Sequence, residues 1–218
     1  VGYRGSPQYN VLGVKYLIGG KKEPPADTSF IVPVFDADPN GTVYLNTRAL
    51  PRAMVLFNAP AVANHDAAFD ATHSEAFDPA QVVVVEGGPA LSQEPGEATV
   101  EVTRYEPNEA RFTVTTDKPA YFFLSDVYHP DWQATVNSQP APIVVANYAF
   151  RAVYLEPGQH TIEMRFAPSG WGAGLAATAT ALVALITLVT LMIRSTGVSA
   201  RLPRGDAPDQ VEEKTPWH

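Results

Sequence analysis

The run ATVEVTRYEPNEARFTVTTDKPAYFFL, residues 98–124, decides the fold. In ATVEVTRYE (98–106) and ARFTVTT (110–116), β-branched and aromatic residues alternate with polar ones. That two-residue period puts one set of side chains on a core and the other in water, as in a half-buried strand. The pattern continues through AYFFLSD (120–126), ATVN (134–137), PIVVAN (142–147), FRAVYLE (150–156) and HTIEMRF (160–166). Between the runs stand Glu106-Pro107-Asn108, Asp117-Lys118-Pro119, Asn137-Ser138 and Glu156-Pro157-Gly158, residues with the dihedral preferences that turns require. Short strands at this repeat distance predict an all-β antiparallel sandwich over residues 98–168.

Upstream, residues 1–97 are less regular and predict a small α+β unit. NVLGVKYLI (10–18), SFIVPVFD (29–36), TVYLNT (42–47) and RAMVLFNA (52–59) read as strands, and QVVVVEG (81–87) as a buried one. The alanine-rich segment from Ala61 to Phe77 reads as a helix that turns Phe69 and Phe77 toward a sheet, and Asp78-Pro79 ends it. Gly87 to Gly96, with Pro89 and Pro95, is the natural linker between the halves.

Downstream, WGAGLAATATALVALITLVTLMI (171–193) contains no charged residue. Crossing the hydrocarbon core of a bilayer takes about 20 such residues. Thr178, Thr180, Thr187 and Thr190 are compatible with a span because their hydroxyls can bond back to helix carbonyls. Residues 169–194 are therefore expected to form one C-terminal transmembrane helix. Arg194, Arg201 and Arg204 follow it, which by the positive-inside rule places the C-terminus in the cytoplasm and residues 1–168 outside the cell membrane. Trp171 sits where an interfacial aromatic belongs. The polar tail 195–218, with Pro203, Pro208 and Pro216, is expected to be disordered. Gly170, Gly174 and Thr178 at four-residue spacing would let another helix approach closely. The expected partners are thus the lipid bilayer and other transmembrane helices of the same parent chain. The sequence starts at Val1 and shows no targeting segment in its first thirty residues, so the expectation is the tail of a longer protein.

Composition excludes several classes. There is no cysteine, which removes disulfide frameworks, thiol nucleophiles and iron–sulfur sites. Fifteen basic against 23 acidic residues give a net charge of −8, which repels phosphate backbones and argues against nucleic acid as a partner. The sequence has no phosphate-cradling glycine loop, no GxSxG elbow and no dinucleotide fingerprint, so no cofactor is expected.

Few constellations carry chemistry. His65, Asp66, Asp70 and His73 share the predicted helix at spacings that could suggest a metal, but the surrounding alanines read as an ordinary amphipathic helix, and no metal site is assigned. SDVYHPDW (125–132) concentrates Asp126, Tyr128, His129, Asp131 and Trp132. Asp126 and Asp131 could form an acid/base pair, but a strand end whose carboxylates cap turn amides explains them as well, and no catalytic residue is assigned. Arg151, among apolar and aromatic residues in NYAFRAVYL (147–155), can clamp an anion or bridge strands. Tyr128, Trp132, Tyr148 and Arg151 are the residues proposed for glycan contact. Asn40-Gly41-Thr42 is formally a glycosylation acceptor, but after Asp38-Pro39 it reads more simply as a hairpin turn.

The segments LGVKYLI (12–18), NTRALPRAMVL (46–56), FDPAQVVVVE (77–86), LSDVYHPDWQATVN (124–137) and PIVVANYAFRAVYLEPGQHTIEMRF (142–166), followed by the closing span, occur in an order that resembles the C-terminal portion of the bacterial membrane protein YfhO family. The most specific pieces are ALPRA (49–53), Asp-x-Tyr-x-Pro-x-Trp (126–132) and NYAFRAV (147–153). Two turns depart from the family pattern: Pro130-Asp131-Trp132 stands in place of Pro-Gly-Trp, and Asn137-Ser138 in place of Asp-Gly. The resemblance implies a large multi-pass protein similar to polyprenyl-phosphate-sugar-dependent glycosyltransferases acting on cell-envelope glycopolymers. A lipid-linked sugar or an envelope glycopolymer would then be the ligand. It also implies catalytic carboxylates in a loop near a first span, which this sequence does not contain. A non-catalytic envelope glycan-binding or assembly module is the alternative.

The expected topology has a direct check. Carbonate washing should leave the chain in the membrane fraction, and protease added to intact cells should digest the globular portion while sparing the arginine-bearing tail. The opposite digestion pattern would invert the orientation.

Overall fold

Strands Ala98–Glu106 and Glu109–Thr116 form a hairpin, with Glu106 opposite Glu109 across the turn at Pro107-Asn108. In the second strand Ala110, Phe112, Val114 and Thr116 are buried in strict alternation. Strand Ala120–Leu124 behaves differently, for every one of its residues is buried. A strand covered on both faces reads as a continuous apolar run, which is why AYFFL shows no alternation.

The computed structural model describes residues 7–22, 25 and 29–195, and the tail expected to be disordered lies outside them except for Ser195. Among the described residues the chain is mostly β, in several sheets, with one long apolar helix at its C-terminal end. Five antiparallel strands make one sheet, in the order Gln139–Ala141, Trp132–Val136, Gly158–Phe166, Glu109–Thr116, Ala98–Glu106. A six-stranded sheet runs Ala53–Leu56, Ala120–Leu124, Phe150–Leu155, Val144–Ala146, Val85–Glu86, Ala61–Val62; only its last pair is parallel. This sheet takes strands from both sides of the Gly87–Gly96 linker. Tyr16–Gly20, Gly41–Asn46 and Ile31–Phe35 form a third, antiparallel sheet, with Gly41–Asn46 in the middle.

Phe112, Val114, Ile162 and Met164 of the five-stranded sheet share one core with Phe122, Leu124, Val153 and Leu155 of the six-stranded sheet. Tyr121 and Phe123, pointing the other way, pack with Leu56, Ala59, Val83, Val85 and Val11. Each such side chain contributes on the order of 1.5–3 kcal/mol by leaving water. The N-terminal half therefore supplies the second cover that Ala120–Leu124 needs.

Three upstream expectations change, one of them QVVVVEG (81–87), which is buried at Val83–Val85 but is strand only over Val85–Glu86. The segment from Asn10 begins in a helix, Pro7–Val11, before the strand Tyr16–Gly20. The alanine-rich helix is shorter than expected, His65–Thr72, with Asn64 as its N-cap accepting from the Ala67 amide at 2.9 Å. It buries Ala68 and Thr72, while Phe69 is 43% exposed. Small residues on the inner face bring the helix backbone close to the sheet, which leaves no room there for a phenyl ring. Phe77, beyond the helix, is buried with Val84.

The helix Trp171–Ser195 has 25 residues, all exposed. At 1.5 Å per residue it is roughly 37 Å long, enough to cross a bilayer. The hydroxyls of Thr178, Thr180, Thr187 and Thr190 donate to the carbonyls of Gly174, Ala176, Val183 and Ile186 at 2.7–2.9 Å. Each threonine thus satisfies its own polar group inside the helix, as a lipid environment demands. The chain divides into two compact units, one ending at Pro168 and one starting at Ser169.

Asn137 and Ser138 join Trp132–Val136 to Gln139–Ala141 with φ of 51° and 66°. Two left-handed residues in a two-residue hairpin define the turn that glycine favours at its second position. Asn137 is fixed by the Thr161 amide, which donates to its Oδ1 at 2.9 Å. Ser138 carries the steric cost of its Cβ. Ser138→Gly is expected to raise unfolding stability by about 0.5–1 kcal/mol in chemical denaturation of the detergent-solubilised chain. A loss of stability would show that the turn is not strained.

Candidate functional site

Residues Ser125–Asp131 carry the chain from the six-stranded sheet, which it leaves at Leu124, to the five-stranded sheet, which it enters at Trp132. This strap is fastened along its length. The Ser125 amide donates to the Arg52 carbonyl at 2.8 Å, and the Tyr128 amide to the Ala149 carbonyl at 2.8 Å. The Trp132 amide closes a turn on the His129 carbonyl at 3.0 Å, and the Ala167 amide donates to the Asp131 carbonyl at 2.9 Å.

Arg151 lies mid-strand, opposite Leu124 on one side and Val145 on the other, and is only 2% exposed. Its Nη2 donates to Asp126 Oδ2 at 2.8 Å, and its guanidinium carbon lies 4.0 Å from the centre of the Trp132 ring. Nε and Nη1 have no hydrogen-bond partner among the described residues. Burial pushes the guanidinium down from its usual range and Asp126 opposes that shift. A guanidinium stays protonated in proteins, so the charge must be compensated by the carboxylate and by the ring face.

Asp126 serves more than Arg151. The Tyr105 hydroxyl donates to its carboxylate at 2.7–2.8 Å, and Arg52 Nη1 donates both to Asp126 Oδ1 at 3.1 Å and to the Tyr105 oxygen at 2.8 Å. Burial, and then the hydrogen bond to Asp126, push the Tyr105 phenol up, so it remains a donor at neutral pH. Arg52 and Tyr105 come from 74 and 21 residues before Asp126. No local pattern could have announced them.

Of the four residues proposed for glycan contact, Tyr128 and Trp132 line one hollow of about 400 Å³, together with Pro130, Gln133, Thr135 and Ile143 among others. Arg151 is not in its wall and reaches it only through the ring it stacks on. Tyr148 belongs to a different cluster, stacked on His65 at 3.9 Å and edge-on to Phe69 at 5.4 Å. Its φ of 72° is uncommon for an aromatic residue. The preceding Asn147 holds the turn, since its amide donates to the Val84 carbonyl at 2.7 Å and its Oδ1 accepts from the Val84 amide at 2.8 Å. Gln133 and Thr135 were missed in the sequence, although their alternation with Ala134 marks them as outward-facing.

The two weaker constellations resolve into ordinary contacts. His65 Nδ1 lies 2.9 Å from Glu86 Oε1, and His73 stacks on Phe69 at 3.9 Å. Among the described residues no group of three or more His, Asp or Glu side chains is arranged to hold a metal ion. Asp126 is engaged by three donors, and the Asp131 carboxylate lies 3.8 Å from His129 Nδ1.

The strap, the five-stranded sheet and the first two turns of the apolar helix lie within one recognisable stretch. Residues 91–178 match the model of the family described as Bacterial membrane protein YfhO. The YfhO match is narrower than the run of resembling segments, which starts at Leu12, and it bridges Pro168 into the apolar helix. It includes Tyr105, Asp126, Tyr128, Trp132, Tyr148 and Arg151 but not Arg52. Together with the helix Trp171–Ser195, long and apolar enough to cross a membrane, the match supports a membrane protein. No curated protein and no solved structure matches the chain.

The Asp126–Arg151 pair sets a stability prediction. Asp126→Asn leaves a buried cation without its carboxylate and should cost about 3 kcal/mol in denaturation experiments. Adding Arg151→Met should recover part of that loss, because the unpaired charge is then gone. A single-variant effect within about 0.5 kcal/mol of the parent would show that the pair is solvated rather than buried.

Proposed function

We propose that this chain is the C-terminal extracytoplasmic module and last span of a YfhO-like multi-pass membrane protein. In this reading the parent is a polyprenyl-phosphate-sugar-dependent glycosyltransferase acting on cell-envelope glycopolymers, and this segment holds the glycan. The reading rests on one observation above all: Tyr128 and Trp132 line a single hollow with Gln133 and Thr135, inside the matched stretch. Aromatic faces pack against the apolar faces of sugar rings, while an amide and a hydroxyl beside them can meet ring hydroxyls. The proposed fold is a β-sandwich, supported by the core that two sheets share. The proposed orientation, residues 1–168 outside, rests on Arg194, Arg201 and Arg204.

The second reading is an envelope glycan-binding or assembly module with no chemistry of its own. In either reading the Asp126 carboxylate, held by Arg151, Arg52 and Tyr105, serves the fold. Both readings place sugar contact in the hollow and differ only in whether the parent chain transfers a sugar.

Retention of the detergent-solubilised chain on immobilised envelope glycopolymer tests the shared part. Tyr128→Ala and Gln133→Ala should each weaken retention, Tyr128→Ala by about tenfold, the equivalent of ~1.4 kcal/mol. Tyr148→Ala, in the separate cluster, should leave retention unchanged. Folded variants that all bind like the parent would remove the glycan site. Deleting the full-length gene in its host separates the two readings, since only a transferase takes the glycan modification with it.

A further inference from the structure

The three-stranded sheet buries one face and exposes apolar side chains on the other. Leu17, Ile31 and Tyr44 turn to one side, where with Phe30 they form a small core. Register places the opposite side in two cross-strand rows: Tyr16, Leu45 and Val32, then Ile18, Val43 and Phe35. Ile18 is 79% and Phe35 53% exposed; Tyr16 and Val32 are exposed as well, and Val43 and Leu45 are half-buried. An antiparallel sheet with one wet face ordinarily alternates apolar with polar, and here the outward positions break that rule in all three strands. The two rows make one contiguous apolar patch on the exposed side of the sheet.

We infer that this face seats in the interfacial layer of the bilayer to which the chain is anchored. Three observations select lipid over another occupant. The first is size. With strands about 4.8 Å apart and same-face residues about 6.8 Å apart, the two rows cover on the order of 200 Å². A stable protein interface takes roughly 20–30 residues on each side, which this patch of six does not supply to a second copy. The second is composition. Tyrosine, phenylalanine and aliphatic side chains are the ones that settle at the headgroup boundary. Lys15 precedes the strand Tyr16–Gly20 and Lys22 follows it, while Lys21 is paired with Asp36. Among the described residues, the nearby Asp36 accepts from Lys21 and Thr42, and Asp38 accepts from the Asn40 amide at 2.7 Å. The third is proximity. A chain that carries a membrane-spanning helix keeps lipid permanently within reach, so a weak patch suffices.

The absence of cysteine makes the test clean, because each introduced thiol is the only one. Ile18→Cys and Phe35→Cys, with Glu101→Cys and Asp70→Cys as exposed controls, are labelled with bimane. The full chain is then reconstituted in phosphatidylcholine–phosphatidylglycerol vesicles containing nitroxide-labelled lipid. Labels at positions 18 and 35 should be blue-shifted, quenched by the nitroxide lipid and protected from aqueous iodide, and labels at 70 and 101 the reverse. Equal iodide quenching at all four positions would overturn the proposal. So would protection at 18 and 35 that grows with protein density and is indifferent to nitroxide lipid, the signature of a second copy.

Discussion

The double burial of Ala120–Leu124 is the constraint on which the rest of this structure depends. Tyr121 and Phe123 require apolar cover on one side, Phe122 and Leu124 on the other. The five-stranded sheet provides the second cover, and residues from Val11 to Val85 provide the first. Removing either would leave large aromatic side chains in water, at a cost comparable to the whole stability of a domain. The N-terminal segments are therefore part of the same core, whatever further role they have.

That arrangement also creates the site. A chain leaving a central strand must travel to the neighbouring sheet, and the strap Ser125–Asp131 makes the journey over the buried end of Arg151. Asp126 answers the buried cation, and Trp132 lies across its face. The hollow exists because the tryptophan is pinned from behind, with Tyr128 held beside it by a backbone bond to Ala149. Charge compensation, strand crossing and ligand surface are consequences of one geometry. Arg52 and Tyr105 extend the network outward, so the carboxylate is shared among groups from three distant parts of the chain.

The helix Trp171–Ser195 follows different rules, since it hides its polar atoms by internal bonding instead of by packing. Its threonines return their hydroxyls to the preceding turn, and its charge begins only at Arg194. This logic is local, so it could be read directly from the composition of 23 consecutive residues, 171–193. The strands after Ala98 were legible for a similar reason, because alternation and turn residues act over a few positions. The helix around Phe69 was legible in kind but not in facing. Nothing local says that Ala68 rather than Phe69 meets the sheet.

By itself the sequence determined where the strands after Ala98 run, where the turns at Asn137-Ser138 and Pro107-Asn108 fall, and which segment is apolar enough for lipid. Those properties follow from interactions between residues close along the chain. Tertiary structure alone decided that Asp126 meets Arg151, Arg52 and Tyr105, that Tyr148 parts company with Tyr128 and Trp132, and that Ala53–Leu56 joins the sheet of Phe150–Leu155. Such pairings depend on which sheet covers which face, and that choice is made by the summed burial of the whole core rather than by any one stretch.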